Sequence, residues 1–231
     1  MNPTQGFNED RALALLQRKD LTAEMLTSLA RNPAALKSRK VVLAVVAHPR
    51  TPRHVSVPLL RRVITFDLVQ VTLTPTIAAD LKRASEEQIL VRVETLSVGE
   101  KITLAKRGSG RVAAALLQDS DTRVVEPALD NTQLTEPLVV QALMKPRALA
   151  ILFELASSHR NWCQRREIQI ALLHSEKTPL DRANEFAKNF STEFVREILP
   201  ESRRDDLLRT VNSSVTVESS PTENPQSGDP K

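Results

Sequence analysis

Four histidines, one cysteine and a pair of neighbouring aspartates are the residues of this chain whose types could do chemistry. His48 and His54 stand six apart across a proline turn, and His159 and His174 lie much further on, so none falls in a His-Glu-x-x-His or comparable metal-ligand spacing. They read as solvated turn histidines. Cys163 beside Trp162 would need a histidine and a third orienting group to become a nucleophile, and it reads as half of a packed pair near a helix start. Asp119 and Asp121 could act as paired carboxylates in general acid–base chemistry. They sit just before Arg123, where acids at a helix start are ordinary. The GSGR stretch at Gly108–Arg111 lacks the spacing and the Lys-Ser/Thr of a phosphate-binding loop and reads as a helix–helix turn. The chain is therefore expected to be no enzyme, with no catalytic residue, no cofactor and no metal site.

The elements that must position anything else come from a repeated pattern. Aligning Thr51, Thr135 and Thr178, each followed within two residues by proline, brings Arg39, Arg123 and Arg166 into register, as well as Val41, Val125 and Ile168, and Ala44, Ala128 and Ala171. Leu59, Leu143 and Phe186 follow eight residues after each threonine. The spacing fits a unit of about 42 residues, within the range of two-helix solenoid repeats, with a degenerate copy between the first two. Apolar residues three and four apart place one face of a short helix in a core, and the alanines let a neighbouring helix approach closely. Each threonine is expected to cap the next helix, with Pro52 or Pro179 at its first position. Leu21 with Leu26, and Leu134 with Val139, have the spacing of hydrophobic staples around Thr22 and Thr135. Thr74 and Pro75 are expected to open a long helix carrying Ile77, Leu81 and Ile89. The in-register arginines are expected to bond loop carbonyls of the next unit.

The phrases LTSLARNP, VVLAVVAHPRTP and LLQDSDTRVVEPALDNTQLTEPLV resemble the leucine-rich-repeat variant, an α-solenoid relative of the HEAT family. The resemblance covers about residues 10 to 190. It implies an all-α fold, a right-handed-type α-solenoid of about five stacked HEAT-like helical units over residues 10–209; residues 1–9 are expected to be loose, and the Ser-, Pro- and Glu-rich tail at 210–231 disordered. One member of the variant class carries an iron–sulfur cluster on a cysteine group, which the single cysteine here excludes.

Composition supports the same outline. With 41% hydrophobic and only 3% aromatic residues, the core must be aliphatic, which suits helix-on-helix stacking. One cysteine excludes an internal disulfide framework. No apolar run is long enough for a signal peptide or a membrane span, so a soluble, cytoplasmic protein is expected. The strongest signal outside the repeat is electrostatic. Residues 25–66 contain Arg31, Lys37, Arg39, Lys40, Arg50, Arg53, Arg61 and Arg62 and no acid. Arg50, Arg53, Arg61 and Arg62 are not shared by the other copies and are the candidate partner-binding residues. Two functions fit: a non-catalytic protein-interaction scaffold whose basic segment docks an acidic partner, or a HEAT-like nucleic-acid-binding protein contacting phosphates through the same segment. The net charge of +4 and the lack of tyrosine beside one tryptophan favour the first.

Overall fold

The computed structural model describes residues 8–18 and 20–204. The expected disordered tail at 210–231 lies outside them, as does the loose N-terminus apart from Asn8 and Glu9. Among the described residues there are helices and turns and no strand. In chain order they form α1 (Glu9–Leu16), α2 (Ala23–Arg31), α3 (Arg39–Ala47), α4 (Arg53–Leu59), α5 (Thr65–Leu73), α6 (Ala79–Val93) and α7 (Val98–Arg107). There follow α8 (Gly110–Leu116), α9 (Thr122–Leu129), α10 (Glu136–Leu143), α11 (Ala150–Ser158), α12 (Arg166–Leu173), α13 (Leu180–Ala187) and α14 (Thr192–Ile198). The chain divides between Leu138 and Val139 into two compact units. In the first, α1 packs on α3, α5 on α6, and α7 on α8 and α9; in the second, α12 packs on both α11 and α13.

A short helix in a packed core has a problem at its C-terminus, where the last carbonyls lack intrahelical donors. Past several helix ends the chain also turns in one recurring way. A residue one or two places past the helix accepts, on its side chain, the backbone N–H two positions on: Asn32 from Ala34 at 2.9 Å, His48 from Arg50 at 3.2 Å, and Asn131 from Gln133 at 2.7 Å. His159 does the same for Asn161, and a similar 3.2 Å bond runs from the Lys177 N–H to Ser175 after α12. Ahead of four of these caps the same places are buried. They are Val41, Val42, Val45 and Val46 before His48; Val124, Val125, Ala128 and Leu129 before Asn131. Leu152, Phe153, Ala156 and Ser157 precede His159, and Ile168, Gln169, Leu172 and Leu173 precede Ser175. Buried pairs separated by two residues form the single stripe that a helix presents to its neighbours.

This register corrects the alignment on threonine. Thr51 and Thr178 each stand three residues after their cap, whereas Thr135 stands four after Asn131. The first two are buried and make the same bond: the Thr51 hydroxyl donates to the Val45 carbonyl and the Thr178 hydroxyl to the Leu172 carbonyl, both at 2.6 Å. They therefore tie back to the preceding helix instead of capping the next, and Pro52 and Pro179 take the N-cap position themselves. Thr135, one residue out of step, is exposed. The slip also places Ala128 at the position of Val45, while Ala44 is only half-buried.

Two other expectations are modified. Thr74 closes α5, its hydroxyl donating to the Gln70 carbonyl at 2.6 Å, and α6 begins only at Ala79. Thr22 does cap α2, accepting the Met25 N–H at 3.3 Å, with Leu21 and Leu26 both buried. The glycine pair is a helix–helix turn between α7 and α8. It is held by Asn131, whose Nδ2 donates to the carbonyls of Ala105 and Gly108 at 2.6 and 3.0 Å. A Cβ on Gly110 would lie 2.2 Å from the Gln133 carbonyl oxygen, so only glycine admits the α9–α10 loop here.

Because Thr51 and Thr178 make the same buried bond, Thr51→Val and Thr178→Val should each destabilise the protein by about 1–2 kcal/mol. Thr135→Val should change stability by less than about 0.5 kcal/mol. Urea unfolding followed by circular dichroism checks all three.

Candidate docking surface

Which cations could meet a partner depends on which have their charged heads already engaged. Several are used as internal caps. Arg92 of α6 reaches back to the carbonyls of Val63, Leu60 and Arg61 at 2.6, 3.2 and 3.1 Å, closing the turn after α4. In the second unit, Lys177 donates to the Ala148 carbonyl at 2.5 Å, Arg182 to Ser157, and Arg203 to Thr178 and Glu176. Such cations supply donors that the carbonyls otherwise lack.

The in-register arginines do something else. Arg39 forms a bidentate pair with the buried Asp67 of α5, at 2.6 and 2.7 Å. Arg123 folds onto Asp121, the N-cap of its own helix, and Arg166 lies over the Phe190 ring. None of the three makes the expected bond to a loop carbonyl, because each arginine meets an acid or a ring first.

The four candidate partner-binding arginines separate into two pairs. Arg53 is paired with Asp80 at 2.6 Å, and Arg50 donates to the Leu21 carbonyl at 3.4 Å. Arg61 and Arg62 are exposed and, among the described residues, have no partner for their guanidinium groups. The reason is local. Pro58, near the end of α4, has no N–H to continue the ladder, and the chain tightens into a 3₁₀ turn at Leu60–Arg62. That turn buries Leu60 and turns both arginines outward, between Val57 and Ile64, which are 41% and 42% exposed.

A larger concavity begins where the basic segment ends. Phe66, Val69, Gln70 and Leu73 of α5 face the C-terminal end of α7 and the α9–α10 loop across a groove of about 550 Å³. Lys106 and Arg107 stand on its α7 side, and no acid lines it. The sequence reading missed this groove, since its walls come from three separate segments, within residues 66–73, 103–108 and 131–133.

The residues considered for chemistry are placed structurally. His48 is buried, its Nε2 against the Arg18 carbonyl at 3.2 Å, so it is a capping residue and not a solvated one; His54 and His174 are exposed. Trp162 is buried beside a half-buried Cys163 whose carbonyl accepts from Gln169. Asp119 and Asp121 are both engaged: Asp119 is held by Lys101 at 2.9 Å and by the Asp121 N–H, and Asp121 by Arg123. Among the described residues no group of three His, Cys, Asp or Glu side chains is placed to hold a metal ion. No helix among them is long and apolar enough to cross a membrane. No protein-family model, curated protein or solved structure matches the chain.

Burial raises the Asp119 carboxyl, but Lys101 and the Asp121 N–H outweigh it and hold the group below the usual aspartate range. A carboxyl depressed in the folded state stabilises fully above its unfolded value near ~4, and this is lost as pH falls through the folded value. Asp119→Asn should therefore cost about 1–2 kcal/mol at pH 7. Its difference from the unsubstituted protein should shrink below about pH 4, as measured by urea midpoints across a pH series.

Proposed function

We propose that this chain is a HEAT-like α-solenoid of the leucine-rich-repeat-variant type, acting in the cytoplasm as a non-catalytic scaffold that docks an acidic protein segment. The recurring cap and the repeated buried stripe support the helical-repeat reading, since stacked equivalent helices need equivalent end closures. The observation that carries the functional reading is the pair Arg61 and Arg62, exposed, without an ion-pair partner among the described residues, and bracketed by exposed Val57 and Ile64 in a segment without acids. Cations beside apolar surface favour a partner that brings carboxylates and apolar side chains together.

The engagement of Arg39, Lys40 and Arg53 by Asp67, Glu9 and Asp80 leaves fewer cations in the segment for phosphates. A nucleic acid gains affinity in proportion to the phosphates neutralised, so this weighs toward a protein partner.

The test compares a fluorescein-labelled Glu/Asp-rich peptide with labelled duplex DNA and RNA over a salt series. The peptide should bind, and the double variant Arg61→Ser, Arg62→Ser should weaken it about tenfold, or ~1.4 kcal/mol. The urea midpoint should not move, since neither charged head holds the fold together. Duplex binding that falls steeply with salt and vanishes in the variant, with no peptide binding, would replace this reading by the nucleic-acid one.

A further inference from the structure

The geometry points to a second contact for the same acidic partner: the groove between α5, α7 and the α9–α10 loop takes a short extended acidic segment by a bulky apolar side chain. This deepens the scaffold reading and rests on it. Three features of the groove argue for that occupant.

The first is the floor. Phe66, Val69 and Leu73 lie on one face of α5 with Leu104 opposite, and Leu73 is 41% exposed. Val69 and Leu104 are buried, so Leu73 and the half-buried Phe66 are the surface an apolar residue from outside meets, and a groove of about 550 Å³ has room for one or two side chains. The second is the polar rim. The side-chain amides of Gln70 and Gln133 have no partner among the described residues. A primary amide offers one donor and one acceptor side, which matches the N–H and C=O of one residue in an extended backbone. The third is charge. Lys106 and Arg107 are exposed at the C-terminal end of α7, have no ion-pair partner among the described residues, and share the lining with no acid.

The two cations are not equivalent. Lys106 also borders a smaller recess containing Glu126 and Asp130, whereas Arg107 does not. The field that an incoming carboxylate meets is therefore set more by Arg107, which can also grip it with two parallel N–H bonds.

The experiment uses two fluorescein-labelled twelve-residue peptides with the same Asp and Glu flanks, one with Leu-Phe at its centre and the other with Ser-Ser. Fluorescence anisotropy with the full chain should show the Leu-Phe peptide binding at least tenfold more tightly. Leu73→Asp, at an exposed position, should abolish that preference, Phe66→Ala should reduce it, and both should leave the urea midpoint within reach of the unsubstituted protein. Arg107→Glu should weaken the Leu-Phe peptide more than Lys106→Glu does. Equal binding of the two peptides, or a preference that survives Leu73→Asp, overturns the groove assignment. If in that case binding still falls in the Arg61→Ser, Arg62→Ser variant, the groove inference fails while the acidic-partner reading stands. If neither peptide binds, both fail together.

Discussion

The constraint on which this structure depends is the unsatisfied carbonyl at the end of a short helix. Most helices here run seven to ten residues, so a large share of their peptide groups lies in the terminal turns. Helices of that length do not hold themselves together in water and take their stability from packing and from closed ends. The side chain after the helix turns the chain, the threonine hydroxyl ties back to a carbonyl, and arginine or lysine arrives from 25 or more residues downstream to donate to others. Local and distant donors thus close different ends of the same kind.

This division explains what becomes of the basic residues. A chain rich in arginine looks from composition like one awaiting an anion. Much of that charge is directed at backbone carbonyls, which carry partial negative charge at helix C-termini, or at buried acids such as Asp67 and Glu86, the latter paired with Arg111 and Ser109. What remains outside includes Arg61 and Arg62 near the α4–α5 turn and Lys106 and Arg107 at the end of α7.

The helical class was legible from valine and alanine spacing, and the turn at Gly108–Gly110 from glycine chemistry. The cap was not, because it is written in three residue types: the near-side acceptor is an asparagine oxygen, a histidine nitrogen or a serine hydroxyl. The conspicuous threonines set the alignment instead, and they mislead by one residue in the middle copy, where Thr135 faces outward. Sequence also cannot distinguish Arg53, which finds Asp80 27 residues on, from Arg61, which finds no acid among the described residues. Only the fold decides which acid arrives. The groove was illegible for the same reason.

The interchange of His48 and Asn131 has a consequence for how such a chain can change. Both present an acceptor toward their own turn and a donor toward an older segment: Nδ1 and Nε2 in one, Oδ1 and Nδ2 in the other. What the two turns share is a pattern of lone pair and proton, not a residue. Side chains as unlike as an imidazole and a carboxamide can thus stand in for one another at a helix end, because the turn reads bonding directions and not the group that carries them.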